Sequence, residues 1–151
     1  MNILFVCTGN ICRSPIAEGI LRMKYSQHHI SGIVDSCGFE SFHTGDPPDP
    51  RAQKIARDNG IDISNHRARI FQVHDFDRFD HIYVMDSYHY QSVMRIARTQ
   101  QDRQKVDFIL NVVKPSSNIP VQDPYYDCNE AFQAVYEQLE EACEALVQSI
   151  A

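Results

Sequence analysis

The chain has 151 residues, 43% of them hydrophobic and 23% charged, a balance that fits one ordinary globular domain around a single core. Lys and Arg number 14 against 20 Asp and Glu, a formal charge of −6, which argues against a nucleic-acid binder or a protein held to anionic membrane by a basic face. The longest unbroken apolar run, Ile3 to Cys7, falls far short of the ~20 residues that cross a bilayer, and no basic start precedes a signal-type apolar stretch, so a cytoplasmic protein is expected.

Residues 1–6 are almost wholly apolar and rich in β-formers, and predict a buried strand. A short loop follows, and Pro15 reads as the first position of a helix that runs to about Gln27. His28 and His29 lie at its end, where a cation suits the helix dipole. Residues 33–37 predict a second strand, and residues 38–50 a long loop rich in glycine and proline. A helix is expected from Arg51 to Asn59, stopped at Gly60. Residues 81–85 predict a third strand, after which Ser87 would cap a helix to about Thr99. Residues 106–110 predict a fourth strand. The last helix carries a one-sided apolar stripe of Phe132, Val135, Tyr136, Leu139, Ala142, Cys143, Leu146 and Ile150. Strands alternating with helices imply a doubly wound α/β fold, a four-stranded parallel sheet covered on both faces. In such folds ligands bind beyond the C-terminal ends of the strands, so the loop after the first strand is the place for chemistry.

Five cysteines (Cys7, Cys12, Cys37, Cys128 and Cys143) are an odd number for a disulfide framework, and no paired Cys or His spacing suggests a zinc finger. Cys143 falls within the apolar stripe and reads as a small hydrophobe.

Cys7-Thr8-Gly9-Asn10-Ile11-Cys12-Arg13-Ser14-Pro15 turns a strand into a helix with five residues between Cys7 and Arg13. A turn of that length can point successive backbone N–H groups inward as an anion nest, and the helix start adds its positive end. Gly9 permits positive φ and close backbone approach, and Asn10 tolerates the left-handed region while its amide ties the loop together. Arg13 supplies a planar fork for two phosphate oxygens. The same positive field draws the Cys7 thiol toward the thiolate, and Ser14 can donate to its sulfur. No Gly-Lys-Ser/Thr follows, which excludes a nucleotide phosphate loop.

Residues 7–18 resemble the signature of the low-molecular-weight protein tyrosine phosphatases, and the resemblance extends along the chain through His66, Ala68-Arg69, Phe79-Asp80, Met85-Asp86 and Asp123-Pro124-Tyr125-Tyr126. It implies hydrolysis of phosphotyrosine, with Cys7 as nucleophile, Arg13 and the loop residues Thr8, Gly9, Asn10, Ile11, Cys12 and Ser14 holding phosphate, and Asp123 as general acid. Pro124 would restrict Asp123 to extended backbone, and a bound phosphate dianion would favour its protonated form. The resemblance also implies aromatic cleft walls from Tyr125, Tyr126 and Phe42, support behind the loop from Ser36 and His66 together with Asn10 and Ser14, and a reversible Cys7–Cys12 disulfide. Asp86 resembles a structural carboxylate, outside the catalytic set. No metal or cofactor is implied. The partners implied are phosphotyrosine proteins, among them a bacterial-type tyrosine kinase, with inorganic phosphate as product. His89 departs from the asparagine the resemblance leads one to expect, and Cys128 has no assigned role.

Three other activities fit the fold or the loop. Arsenate reduction needs two further thiols in the middle of the chain, and no cysteine lies between Cys37 and Cys128. Phosphoarginine phosphatases of similar sequence carry Thr where Ile11 stands and lack the aromatic pair. A silent phosphate-binding module would not need the acid at Asp123.

Overall fold

The computed structural model describes residues 1–127 and 129–150. Four parallel strands, β1 (Ile3–Val6), β2 (Val34–Cys37), β3 (His81–Val84) and β4 (Val106–Phe108), lie in the order β2-β1-β3-β4. The α/β architecture is the expected one. The chain passes from β1 to one neighbour and then returns to the other side, so strand order reverses at the C-terminal end of β1, where a crevice opens. In-register pairing of Val6 with both Cys37 and Val84 sets the ends of three strands level. Cys7 is the next residue.

Alternation along the strands feeds two apolar layers. Ile3 and Phe5 pack on one face with Tyr83, beneath α1 (Arg13–Gln27) and α6 (Asn129–Ile150). Leu4, Val6, Ile82 and Val84 pack on the other with Phe71, Phe76 and Phe79. With both faces covered, β1 has no exposed residue, which explains its unbroken apolar sequence. Phe132, Leu139 and Cys143 on α6 are buried against α1, as the stripe predicts, and burial pushes the Cys143 thiol up. Lys24 of α1 binds Glu140 and Glu144 of α6 at 2.7 and 2.6 Å and ties the two helices at their rim.

Several boundaries differ from the sequence reading. Helix α1 begins at Arg13, two residues before Pro15. Proline still sits in the first turn, where its missing N–H costs nothing. Asp49 caps α2 (Pro50–Asp58) by accepting from the Arg51 N–H, and Pro50 is the residue that opens that helix. Asp86, rather than Ser87, caps α4 (Ser87–Ile96), its carboxylate accepting from the His89 N–H. Thr99 caps a separate helix, α5 (Gln100–Gln104), and β4 gives way to a 3-10 turn over Ile109–Val112. The short α3 (Asp75–Arg78) precedes β3, and a 3-10 turn over Ser41–His43 lies inside the long loop.

Candidate active site

The loop from Cys7 to Cys12 closes over the end of β1 and leads directly into α1, whose first turn no Cys12 side chain caps. Cys7 and Cys12 are buried at its base. The Cys7 sulfur stands 2.9 Å from Ser14 Oγ, and Ser14 in turn takes a hydrogen bond from Asn10 Nδ2 at 2.8 Å. Asn10 adopts the left-handed conformation expected of it, with φ 57°. Gly9 does not. It has no positive φ, and what requires glycine is space: a Cβ there would stand 2.9 Å from the His43 ring. Burial is the largest influence on the Cys12 thiol and, with Cys7, Asp49 and Asp123 nearby, pushes it well up, which leaves Cys12 a neutral thiol.

Arg13 is almost wholly buried, yet it has a free edge. Its Nη1 donates to Val121 O at 2.9 Å and to Asp86 Oδ2 at 3.3 Å. Its Nη2 donates to Thr8 Oγ1 at 3.2 Å and lies 3.6 Å from Asp123 Oδ2. Its Nε is buried without a partner among the described residues. A buried donor of a charged group is costly to leave unmade. Nε thus lacks an acceptor among the described residues, and the Nε–Nη2 edge has the geometry that a tetrahedral oxyanion fits.

A cavity of about 320 Å³ opens above this loop, lined at its base by Cys7 and Arg13 and at its mouth by Asp123, Tyr125 and Tyr126. Asp123 accepts the Tyr125 N–H at 3.1 Å, a local turn that holds the carboxylate at the rim. Phe42, His43, Tyr125 and Tyr126 form a chain of rings in edge contact, with centroids 4.9 to 6.1 Å apart. Phe42 and Tyr126 are 85% and 91% exposed, so these faces do not serve the core.

The sequence matches the family of low molecular weight phosphotyrosine protein phosphatases over residues 2–151. The chain belongs to that family. A curated relative of the same name from Schizosaccharomyces pombe is 36% identical, covering all of this chain and 97% of its own. A protein tyrosine phosphatase from Entamoeba histolytica, solved with Hepes in its active site, superposes with a TM-score of 0.92 at 34% identity over 99% of this chain and 96% of that one. A Drosophila arginine phosphatase also superposes with a TM-score of 0.92, at 31% identity over 99% of this chain and 98% of its own.

In this low-molecular-weight phosphatase a hydrogen-bonded network lies behind the loop. Asn10 Oδ1 meets His66 Nε2 at 3.0 Å and accepts the Arg69 N–H at 3.1 Å, while Asn10 Nδ2 donates to Ser36 Oγ at 2.9 Å. Ser36 Oγ donates to Glu18 at 2.8 Å, and His66 Nδ1 lies 3.4 Å from the same carboxylate. Glu18, Asp35 and His66 sit close enough to suggest a metal site, but their atoms are already engaged with Ser36, Arg69 and Asn10. They serve as scaffold.

Four residues of this phosphatase site have no role assigned from the sequence. His43 completes the aromatic wall. Gly38 packs its backbone against the loop. Arg51 bridges α2 to the acid loop, donating to Tyr125 O at 2.7 Å and Asp127 O at 2.9 Å while both oxygens of Asp49 hold its guanidinium. His89 is fully buried with Nε2 2.8 Å from Thr8 Oγ1. Burial, helped by the Arg13 charge and opposed by Asp86 and Asp123, lowers its pKa to about 4 and keeps the ring neutral. Only His89 and Arg51 have a signal in the sequence, the first as a departure from its family and the second as a cation just inside a helix start. Cys128 lies outside the described residues.

Proposed function

We propose that residues 1–151 make one phosphatase domain that hydrolyses phosphotyrosine through a cysteinyl-phosphate intermediate. The observation that carries this reading is the buried Nε of Arg13, without a partner among the described residues, lining with Cys7 an aromatic cleft that has a carboxyl group at its rim. In the reaction the phosphate dianion settles on the backbone N–H groups of residues 8–13 and the Nε–Nη2 edge of Arg13, displacing Asp123 from the guanidinium, and Asp123, now facing the dianion instead of Arg13, takes up a proton from solvent. Cys7, its sulfur 2.9 Å from the Ser14 hydroxyl, attacks phosphorus in line as the thiolate. The nest and Arg13 hold the three equatorial oxygens of a loose transition state. The P–O bond to the phenol breaks as Asp123 delivers its proton to the leaving oxygen. Asp123, now a carboxylate, takes a proton from water, whose oxygen attacks phosphorus as the S–P bond breaks, releasing inorganic phosphate and the thiolate. The nest and the guanidinium supply the positive charge, so no metal is required. Phe42, Tyr125 and Tyr126 bracket the phenyl ring, and Ile11 and Cys12 lie at the cleft base.

A nucleophilic thiol works in a reducing compartment, which supports reading the cytoplasm as the setting of the reaction. The partners fitting this chemistry are proteins bearing phosphotyrosine, including a bacterial-type tyrosine kinase. The arginine phosphatase among the structural neighbours makes phosphoarginine the competing substrate. The Tyr125–Tyr126 pair favours an aryl group, whose flat faces it can stack against. Hydrolysis of a phosphotyrosine peptide and a phosphoarginine peptide should be compared in the parent and Cys7→Ser proteins. Faster turnover of phosphotyrosine, abolished in Cys7→Ser, is expected. Equal or faster turnover of phosphoarginine, or activity surviving in Cys7→Ser, would overturn the reading.

A further inference from the structure

His89 stands in the first turn of α4, fully buried, and belongs to none of the groups that meet the substrate. It nevertheless closes a ring around Arg13. Arg13 Nη1 reaches Asp86 Oδ2 at 3.3 Å, and Nη2 donates to Thr8 Oγ1 at 3.2 Å. Thr8 Oγ1 stands 2.8 Å from His89 Nε2, and His89 Nδ1 stands 3.2 Å from Asp86 Oδ1.

Electrostatics sets the hydrogens in this ring. A bare lone pair on Nδ1 would face the Asp86 carboxylate and be repelled, so the neutral ring carries its hydrogen on Nδ1 and presents a lone pair at Nε2. Thr8, which accepts from Arg13, then gives its own hydroxyl hydrogen to Nε2. Every group in the circuit has one orientation, and the hydroxyl lone pair is turned toward Nη2. The approach to Asp86 is close but makes no hydrogen bond among the described residues, while Oδ1 accepts the His89 backbone N–H at 3.1 Å. The ring thus tolerates an imperfect buried contact on its Asp86 side and keeps the short one on its Thr8 side.

We propose that His89 is a positioning residue for oxyanion binding: acting through Thr8, it fixes the rotation of the Arg13 guanidinium so that its Nε–Nη2 edge faces the phosphate. Asp86 and Val121 hold Nη1 on one side and leave the fork free to pivot about that anchor. The Thr8 hydroxyl is the stop on the other side, and His89 decides which way that hydroxyl points. Asp123 also lies near Nη2, but at 3.6 Å and from an exposed loop, too loose to do the same. This rests on Arg13 holding the oxyanion, as proposed above.

The test is the affinity for inorganic phosphate and vanadate, read as competitive inhibition and by direct titration, alongside kcat and KM on an aryl phosphate. His89→Leu should weaken oxyanion binding about tenfold, the scale of one lost hydrogen bond to a charged group. His89→Gln, whose amide oxygen can stand where Nε2 accepts, should restore most of it. Thr8→Val should match His89→Leu, and the double variant should be no worse than either. Oxyanion affinity within twofold of the parent in folded His89→Leu, or additive losses in the double variant, would overturn the proposal. Should His89→Leu fail to fold, Thr8→Val decides alone: a tenfold loss there supports the proposal, and undiminished vanadate affinity rejects it. A parent protein that binds vanadate but turns over no aryl phosphate would instead count against the phosphatase reading, with the binding arms still deciding this one.

Discussion

The Asn10 side-chain oxygen and His66 Nε2 meet at 3.0 Å, joining the phosphate loop to a segment 56 residues further along the chain. Asn10 has φ 57°, a conformation that costs most residues about 1–2 kcal/mol, and its amide makes four hydrogen bonds, to His66, the Arg69 N–H, Ser14 and Ser36. Asn10→Ala keeps the strain and strands its buried partners, so a loss of about 3 kcal/mol in chemical denaturation is expected, with weaker phosphate binding. Asn10→Gly relieves the strain alone and should recover about 1 kcal/mol of that loss. Equal stability of the two variants would show that the backbone conformation contributes nothing.

Gly38 governs the same loop from behind. A Cβ at this position would stand 2.5 Å from Thr8 O and 3.0 Å from Asn10 N, both backbone atoms that cannot swing away. Thr8 O is also fixed by the N–H groups of Phe39 and Glu40 at 2.9 and 3.0 Å. Gly38→Ala must therefore displace the nest itself. Turnover of an aryl phosphate should fall about 10²-fold, with phosphate affinity falling alongside, because displacements of this size misplace the reacting groups.

What the sequence can and cannot reveal follows from range. The strand–loop–helix from Ile3 to Gln27 is legible because its chemistry lies in one contiguous stretch, where spacing carries the geometry. The α6 stripe is legible because its period is regular over 22 residues. The four-residue α3 and five-residue α5 are not, since one turn of helix offers no period. Ser87 and Asp86 both suit a helix cap, and only the fold places one oxygen of the Asp86 carboxylate on the His89 N–H and the other beside Arg13. Gly38, Arg51, His43 and the link from His89 to Thr8 all depend on residues brought together from distant parts of the chain.

Asp123 touches the oxyanion site only at the edge, 3.6 Å from Arg13 Nη2 and with a half-exposed side chain. Removing its proton should therefore impair chemistry more than binding. Asp123→Asn is expected to slow turnover of an aryl phosphate by roughly 10²–10⁴ and to leave phosphate inhibition nearly unchanged. The penalty should shrink for substrates whose leaving group needs no proton, such as a phenol with strongly withdrawing substituents. An equal penalty across leaving groups would remove Asp123 from the acid role.

Arg51 acts on that acid from a distance. Its guanidinium holds the carbonyls of Tyr125 and Asp127, lies 4.7 Å from the Phe132 ring centroid, and is itself held by Asp49. Arg51→Met keeps the stem on Phe132 but frees the loop that carries Asp123 and the Tyr125–Tyr126 wall. We expect kcat to fall about tenfold, the scale of lost charge-assisted bonds, with phosphate affinity intact because the nest is untouched. A parallel loss of phosphate affinity would mean that α2 supports the nest as well.

His89 makes stability depend on pH in a definite direction. Its pKa falls from an ordinary value of about 6.5 to about 4 in the folded protein, so between those values the unfolded chain binds more protons than the native one. Stability from this group is therefore complete above about pH 6.5 and drains away as the pH falls toward 4. The full loss amounts to about 3 kcal/mol. Asp86, Asp123 and Arg13 face the ring, so the difference between two proteins isolates the histidine. His89→Gln has no proton to gain. Its denaturation free energy should decline less steeply than the parent's from pH 6.5 to 4, and the two curves should run parallel above pH 7. Parallel curves throughout would mean that the buried ring accepts its proton as readily as a histidine in water.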